Sequence, residues 1–405
     1  MAGRPLPGEE VPADGSLPAG ALDPERPLSL YVHVPYCRTR CGYCDFNTYT
    51  ALELARPGTV APPGSAMDTY VDVVLAELDL ARAVLGRRRV PTVFVGGGTP
   101  TLLPSRDLVR LIAGIADRFD LDRAAEVTTE ANPETVSESS LAELRSGGFT
   151  RVSFGMQSAV PHVLAALDRV HTPGRAVDAV REARAAGFDD VSLDLIYGTP
   201  GESDADWQTS LDAVVDAAPD HVSAYALIVE EGTALARRIA RGILAAPDDD
   251  ELADRYLAAE AALGEAGYSW YELSNWARPG HECRHNLAYW RSADWWGIGP
   301  GAHSHVGGVR WWNLRHPAAY AARLATGVSP GQAREVLTHD ERRVERVLLE
   351  VRLSDGLPLD VLTSTERLRL ADPQSRGLVS VAGGRVRLTI AGRLLADAVV
   401  RDLLD

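Results

Sequence analysis

YVHVPYCRTRCGYCDF, residues 31–46, is the stretch that decides the fold and the chemistry of this 405-residue chain. It holds three of the four cysteines, Cys37, Cys41 and Cys44, in a C-x3-C-x2-C spacing. Three thiolates on one short loop can bind three irons of a 4Fe–4S cube and leave the fourth iron without a protein ligand. An open iron can bind the amino and carboxylate groups of S-adenosylmethionine (SAM), whose C–S bond breaks when the cluster donates one electron to the sulfonium.

A zinc site is the alternative for such a loop. Structural zinc takes four ligands, commonly as separated pairs, and the chain has no second pair of cysteines. His33 is nearby, but it stands two residues before Pro35 in an alternating apolar run that is typical of a strand. The spacing therefore favours the iron–sulfur cluster, with a zinc knuckle that borrows His33 as the alternative.

The composition limits the class of protein. With 45% hydrophobic residues, the chain can form one large domain and a smaller one. A net charge of −15 argues against a nucleic-acid partner. Four cysteines, three of them on one loop, indicate a reducing cytoplasm rather than a disulfide framework. Residues 1–27 lack the features of a signal peptide and are predicted to be a disordered tail, and no apolar run reaches membrane-spanning length.

Strand-like runs alternate with helical patterns in the middle of the chain. The predicted strands are Ser29–Val34, Thr92–Gly96, Glu126–Ala131, Arg151–Met156, Val191–Ile196 and His221–Leu227. This alternation indicates βαβ units and a parallel sheet. The fold class is thus α/β, a partial (β/α)6 TIM-like barrel over residues 28–245. Residues 246–330, with an apolar stretch at Ser269–Trp276, are expected to cover its open edge.

The predicted strands end in glycine or polar residues, where α/β barrels carry their chemistry. Gly96-Gly97-Gly98 either allow a ligand to approach the backbone or form a tight turn. Glu130 either accepts hydrogen bonds from ribose hydroxyls or caps a helix. Asp194 lies in an apolar strand, where a charge is costly unless it is paired, so we expect a partner such as Arg169, in a binding site or in a structural ion pair.

The last segment, residues 331–405, predicts a smaller α+β domain. A helical pattern at Thr338–Val351 precedes a strand, a Gly383-Gly384 hairpin turn, a second strand and a helix, which is a winged-helix outline. Such domains often bind DNA, but 12 arginines here balance 12 acidic residues. Without a basic surplus, a surface for packing or for a protein partner is the better interpretation.

Seven sequence blocks, taken in order, resemble the radical SAM superfamily, and within it the branch of oxygen-independent coproporphyrinogen III oxidase and the HemW-type haem chaperones. The blocks are SLYVHVPYCRTRCGYCDFNTYT, FVGGGTPTLL, TTEANPET, RVSFGMQS, LDRVH, DLIYGTPGES and RHNLAYW. The resemblance implies that the three loop cysteines bind the cluster. It also implies a set of SAM-contact residues: Tyr31, Gly97, Gly98, Thr99, Glu130, Gln157, Arg169 and Asp194. In the oxidase several of these positions touch a second SAM.

One departure separates the two members of this branch. The oxidase has a fourth cysteine two positions after the third, and here Phe46 stands at that position, in CDFN. Both CDFN and HNLAYW are typical of the chaperones. The resemblance thus implies a haem chaperone that binds haem, a 4Fe–4S cluster and SAM, and that delivers haem to respiratory acceptor proteins. The alternatives are an active coproporphyrinogen III oxidase and a non-catalytic scaffold with a structural cluster.

The segment CRHNLAYW, which ends at Trp290, is the predicted haem site. Imidazole is a common haem ligand, which makes His285 the first candidate and Cys283 a weaker one. From the residues alone, His285 could equally brace a buried turn, and Cys283 could be incidental. His303 and His305 are weaker candidates. The resemblance further implies a homodimer and a cytoplasmic protein, with a peripheral position at the membrane where haem acceptors reside.

Overall fold

The computed structural model describes residues 8–54, 67–169 and 171–404. Six parallel strands follow one another in the first half of the chain: β1 (Leu28–Val34), β2 (Arg89–Gly97), β3 (Asp120–Ala131), β4 (Arg151–Gln157), β5 (Asp190–Tyr197) and β6 (His221–Ala226). The helices between them are α1 (Ala51–Leu54), α2 (Tyr70–Leu85), α3 (Ser105–Arg118), α4 (Glu138–Ser146), α5 (Pro161–Ala166), α6 (Arg175–Ala185) and α7 (Asp204–Ala217). All six predicted strands are present; most ends agree within three residues, whereas β3 begins six residues before the predicted Glu126.

Six further strands extend this sheet to twelve. They are β7 (Ser269–Glu272), β8 (Asn275–Ala277), β9 (Asp294–Ile298), β10 (His303–Val306), β11 (Val309–Asn313) and β12 (Gly331–Val336), in the order β12-β11-β10-β9-β1-β2-β3-β4-β5-β6-β8-β7. The two outer strands do not pair with each other, so the barrel is open. Within the apolar stretch Ser269–Trp276 and the residue after it, β8 pairs antiparallel with β6, whereas β9 pairs in parallel with β1 at the other side.

The remaining helices cover the barrel or form a smaller domain. Those of the barrel are α8 (Ala234–Ala240), α9 (Asp249–Glu265), α10 (Arg284–Trp290) and α11 (Pro317–Ala325). The smaller domain has α12 (His339–Glu350), α13 (Ser364–Arg369), α14 (Ala371–Ser375), α15 (Ile390–Leu394) and α16 (Ala396–Leu404), with a three-stranded sheet of β13 (Leu357–Pro358), β14 (Val379–Ala382) and β15 (Arg385–Leu388). Its apolar residues form a core of their own.

The predicted hairpin of the smaller domain is present. Gly383 and Gly384 connect β14 to β15 with φ angles of 58° and 73°, which glycine adopts without strain. The strand β12, which begins the predicted C-terminal segment, belongs instead to the large sheet, where it pairs with β11. The separate core therefore begins with α12.

The prediction of disorder for residues 1–27 is wrong for residues 8–27, and residues 1–7 lie outside the described residues. Glu9 pairs with Arg334 of β12, the Ser329 N–H donates to the Ala13 carbonyl (2.7 Å), and Ala21 is buried. The segment has few apolar side chains, and it gains its order from backbone hydrogen bonds along an open sheet edge. None of the helices in the described ranges is long and apolar enough to span a bilayer.

A buried carboxyl joins the helical layer to the β9–β11 extension. Glu77 of α2 is fully buried and accepts hydrogen bonds from the Gly299 N–H (2.8 Å), the Asn313 amide (2.7 Å) and the Tyr320 hydroxyl. Burial raises the pKa of Glu77 from 4.5 to about 7, against the opposing effect of these hydrogen bonds.

This shift predicts a pH dependence of stability. Because the pKa of Glu77 is higher in the folded state, its contribution to the free energy of unfolding is full below about pH 4.5 and is lost as the pH rises towards 7. The free energy of unfolding, measured by chemical denaturation at several pH values, should therefore fall less over this pH window in Glu77→Gln than in the wild type. We expect a difference on the order of 2 kcal/mol. Equal slopes for the two proteins would contradict the assignment.

Candidate functional site

The inner faces of the parallel strands line one cavity of about 1020 Å³. Alternate side chains of a strand point to opposite faces. In β4, Arg151, Ser153, Gly155 and Gln157 line the cavity, and the apolar residues between them are buried in the main core. The cavity extends from the cysteine loop at the carboxyl ends of the strands to α10 at their amino ends, a distance of about 20 Å for a seven-residue strand.

The three loop cysteines line the mouth of this cavity. Cys37, Cys41 and Cys44 are partly exposed and form no disulfide. A backbone hydrogen bond from Gly42 to the Leu167 carbonyl (3.2 Å) ties their loop to the end of α5. Three free thiols that face one cavity fit three corners of a 4Fe–4S cube, and the cavity leaves room for a ligand at the fourth.

His33 is not placed to be the fourth ligand of a zinc site. One ring nitrogen of His33 is hydrogen-bonded to the Tyr31 hydroxyl (2.9 Å) and the other lies 3.0 Å from the Asn47 carbonyl. The imidazole is buried in the strand and does not line the cavity. His33 therefore stabilises the loop through its contact with Asn47 and is not a metal ligand.

Polar groups contact the cysteine sulfurs. Nη1 of Arg169 lies 3.5 Å from Sγ of Cys41, and the Thr99 hydroxyl lies 4.0 Å from Sγ of Cys37. Nη2 of Arg169 donates to the Gly155 carbonyl (2.8 Å), which fixes the guanidinium beside the loop. Burial raises the pKa of Cys37, and a bound metal cation would favour the thiolate.

The prediction that Asp194 pairs with Arg169 is wrong. Its carboxylate accepts hydrogen bonds from the Ser153 hydroxyl at 3.0 and 3.1 Å, and Arg169 is directed to the cysteine loop instead. Burial raises the pKa of Asp194, although hydrogen bonds from Ser223 and Ser153 act in the opposite direction. Serine hydroxyls on neighbouring strands therefore take the place of the expected ion pair.

Glu130 is a second buried carboxyl beside Asp194. Its Oε2 accepts a hydrogen bond from the Gly97 N–H (2.9 Å), and burial, together with the Asp194 charge, raises its pKa to about 8. The capping alternative for Glu130 does not apply, because the side chain of Asn132 caps the following turn by accepting from the Glu134 N–H. Two adjacent buried carboxyls favour a ligand that carries positive charge, as the sulfonium and ammonium groups of SAM do.

The glycine run permits close packing under the cysteine loop. Gly97 has a φ of 112°, and a Cβ there would lie 2.7 Å from the His33 ring. A Cβ on Gly98 would lie 2.5 Å from the Tyr36 carbonyl oxygen and 3.0 Å from Sγ of Cys37. These glycines are therefore required by the packing of the loop, in addition to any contact with a ligand.

The structure brings the predicted SAM-contact residues together around one cavity. They are Tyr31, Gly97, Gly98, Thr99, Glu130, Gln157, Arg169 and Asp194. Gln157 has a positive φ of 66° beside a β-bulge at the end of β4, a strained conformation of the kind that clusters at binding sites. Phe46 is 61% exposed at the mouth of the same cavity.

The HNLAYW segment forms the floor of the barrel. It is the helix α10, and three of its residues, His285, Asn286 and Tyr289, line the cavity. Glu126 of β3 accepts hydrogen bonds from the N–H groups of residues 284 and 285 (2.8 and 2.9 Å), and Sγ of Cys283 lies 3.5 Å from the same carboxylate. A carboxylate at the first turn of a helix satisfies its free N–H groups.

His285 is buried, at 1% exposure, and both of its ring nitrogens are engaged. Nδ1 lies 2.9 Å from the Thr92 hydroxyl and Nε2 lies 3.0 Å from the Tyr289 hydroxyl. Its ring stacks on Phe94 at 5.3 Å, and burial lowers its pKa to about 3. The imidazole is therefore neutral, as a metal ligand must be, but it can bind iron through Nε2 only when the Tyr289 hydroxyl moves away.

Several residues of the cavity floor were missed by the sequence analysis. Arg151, His221 and Tyr271 all line the cavity and are buried. His221 is hydrogen-bonded to the Ser192 hydroxyl (2.8 Å) and the Tyr271 hydroxyl (2.9 Å). A signal was present in each strand, where polar residues occupy alternate positions among apolar ones.

Comparisons with known proteins agree with this geometry. A family model described as "Radical SAM superfamily" matches residues 31–214. The chain is 55% identical over 388 residues to heme chaperone HemW of Mycobacterium tuberculosis, covering 96% of this chain and 97% of that protein. It is 39% identical over 280 residues to heme chaperone HemW of Escherichia coli, covering 69% and 70%.

A solved structure supports the fold over nearly the whole chain. Coproporphyrinogen III oxidase (HemN) from Escherichia coli, described as a radical SAM enzyme, superposes with a TM-score of 0.80 at 25% sequence identity, covering 95% of this chain and 92% of that one. The cysteine loop, the open α/β barrel and the identity to the mycobacterial relative lead to one conclusion. The chain belongs to the HemW family of the radical SAM superfamily.

Proposed function

We propose that this protein is a haem chaperone that binds haem, a 4Fe–4S cluster and SAM, and that passes haem to acceptor proteins of respiration. The observation that carries the proposal is the 55% identity to a HemW heme chaperone over 96% of the chain. The three free thiols at the mouth of a large cavity, and the HNLAYW helix at its floor, support it.

The residues of the mouth have distinct roles in this proposal. Cys37, Cys41 and Cys44 hold the cluster, which supplies one-electron reduction of a sulfonium when it is bound with SAM. Glu130 and Asp194 attract the positive charge of SAM, and the glycine run lets the ligand lie against the backbone. Nη1 of Arg169, 3.5 Å from Sγ of Cys41, helps to orient that thiol.

His285 is the proposed haem ligand, with Cys283 as the weaker candidate. Cys283 is buried and directed to Glu126, and burial raises its pKa to about 12, which disfavours the thiolate that iron binds. His285 already presents a neutral ring to the cavity. We therefore expect His285→Ala to weaken haem binding at least tenfold and to shift the Soret band, measured by titration of the purified protein with haem.

Two further variants make this test specific. Tyr289→Phe removes the hydroxyl that occupies Nε2 of His285, so haem should bind more tightly or faster than to the wild type. His303→Ala, at an exposed position away from the cavity, should bind haem as the wild type does. If His285→Ala binds haem with unchanged affinity and spectrum, His285 is not the ligand.

Delivery is tested by transfer of the bound haem. The haem-loaded wild type should restore the spectrum of an apo respiratory haem protein faster than free haem at the same concentration, and His285→Ala should not. Retention of haem by the wild type in the presence of apo acceptors would contradict the chaperone function.

Fractionation would test the proposed cytoplasmic location and a peripheral association with the membrane. Sedimentation would test the proposed homodimer.

The similarity to the E. coli oxidase structure supports one alternative, oxidative decarboxylation of coproporphyrinogen III. Phe46 stands where the oxidase has its fourth cysteine, and it presents an apolar ring at the cavity mouth. The reconstituted protein should therefore form no protoporphyrinogen from coproporphyrinogen III with SAM and dithionite. Stoichiometric product, with 5′-deoxyadenosine, would support the oxidase instead.

A further inference from the structure

The floor of the cavity contains an arginine without an acidic partner. Arg151, the first residue of β4, is 2% exposed and lines the cavity. Its one hydrogen bond among the described residues is a long contact of 3.4 Å from Nη1 to the His281 carbonyl. Fully buried arginines are rare unless they are paired, because a buried charge without a partner is costly.

The acidic groups near Arg151 are committed to other partners. The Glu126 carboxylate accepts from the N–H groups at the start of α10, Asp190 is hydrogen-bonded to His281 (2.5 Å), and Asp194 accepts from Ser153. They keep the guanidinium charged without forming a salt bridge to it within the described chain. The free donors of Arg151 therefore face the cavity.

The groups around Arg151 are suited to a carboxylate rather than to a bulky apolar ligand. The Tyr271 hydroxyl and the neutral imidazole of His221 line the cavity close to Arg151. The strand register places Arg151 beside Thr128, which is itself opposite Phe94. Since Phe94 stacks on His285, Arg151 lies in the same layer of the barrel as the proposed iron ligand.

We propose that Arg151 is a carboxylate subsite at the barrel floor that receives a propionate of the tetrapyrrole, so that haem enters the barrel with its propionates first. This inference rests on the proposed haem-binding function. A guanidinium can form two parallel hydrogen bonds to one carboxylate. The subsite thus distinguishes haem from macrocycles without free carboxylates.

The test compares haem with its dimethyl ester, in which both propionates are uncharged. The wild type should bind haem about tenfold to a hundredfold more tightly than the ester, as expected for a charge-assisted pair. Arg151→Gln should reduce this ratio to near one, and Arg151→Lys should keep part of it. The ratio of the two affinities within one variant is insensitive to a general loss of folded protein.

Arg38 provides the matched control. It lines the mouth of the same cavity, is exposed, and has no hydrogen bond or ion pair to any described residue. Arg38→Ala should leave the haem-to-ester ratio unchanged. If Arg38→Ala removes the preference and Arg151→Gln keeps it, the propionates lie at the mouth and the floor subsite is wrong.

The remaining outcomes separate this inference from the function on which it rests. Unchanged haem-to-ester ratios in Arg151→Gln, with normal haem binding, would overturn the subsite and leave the chaperone function intact. A wild type that binds neither haem nor its ester would overturn both.

The response of the cluster to SAM, followed by electron paramagnetic resonance, should be the same in Arg151→Gln and the wild type. Loss of this response in Arg151→Gln, with a retained haem preference, would assign Arg151 to SAM instead.

Discussion

Replacing any one of Cys37, Cys41 and Cys44 with serine is expected to abolish the 4Fe–4S cluster after anaerobic reconstitution. The three thiols face one cavity, and no further cysteine lines its mouth within the described chain to replace a lost ligand. Iron and sulfide analysis should give about four of each per wild-type chain and only traces in each variant. The absorbance of the cluster in the blue region of the visible spectrum should be lost in the same variants.

Cys283→Ser is the matched control for these variants. Cys283 is buried at the barrel floor, close to Glu126 and at the opposite end of the strands from the loop. Its replacement should leave the iron content unchanged. Full iron content in a serine variant of the loop, or loss of iron only in Cys283→Ser, would contradict the assignment of the ligands.

We also expect a large loss of the cluster when a single methyl group is added at Gly98. Gly98→Ala places a Cβ 2.5 Å from the Tyr36 carbonyl oxygen and 3.0 Å from Sγ of Cys37. The backbone has little room to move away, because the Gly98 N–H donates to the Val34 carbonyl (2.8 Å). The cysteine loop must shift instead, so we expect less than a tenth of the wild-type cluster content and no response to SAM.

Gly264→Ala provides the comparison for a methyl group in open space. A Cβ on Gly264, in α9, has no heavy atom within 4 Å, and alanine there should stabilise the helix by about 0.5–1 kcal/mol. The melting temperature and iron content of this variant should equal or exceed those of the wild type. A Gly98→Ala protein with a normal cluster would show that the loop tolerates the displacement.

The barrel could be predicted from the sequence because its signals are local. Strands such as Ser29–Val34 and Arg151–Met156 are short apolar runs between helical patterns, and each is present with nearly the expected bounds. The cysteine loop and the glycine run follow strand ends directly, and the carboxyl ends of parallel strands meet at one rim. Their convergence at the mouth therefore follows from topology alone.

Long-range pairing could not be predicted in the same way. The strand β9 pairs with β1 although the paired residues Leu28 and Asp294 are 266 positions apart in the sequence. Glu9 and Ala13, in the N-terminal segment, are hydrogen-bonded to Arg334 and Ser329 at the distant β12 edge. Neither contact leaves a pattern in the local sequence, since each depends on which edge is left free.

The position of HNLAYW shows a second limit. Its aromatic residues and His285 suggest an accessible haem site, whereas α10 is the floor of the barrel and both imidazole nitrogens of His285 are hydrogen-bonded. The alternation of polar and apolar residues in the strands, as in R-V-S-F-G-M-Q of β4, carries the missing information. A barrel with polar inward positions must surround a polar ligand cavity rather than a packed apolar core.

In the proposed function, three thiols hold a cluster whose fourth iron binds SAM. Electron paramagnetic resonance of the anaerobically reconstituted, dithionite-reduced wild type, with and without SAM, tests it most directly. We predict a 4Fe–4S signal whose g values change on addition of SAM. A protein that forms no cluster, or one whose signal is the same with and without SAM, would contradict the account.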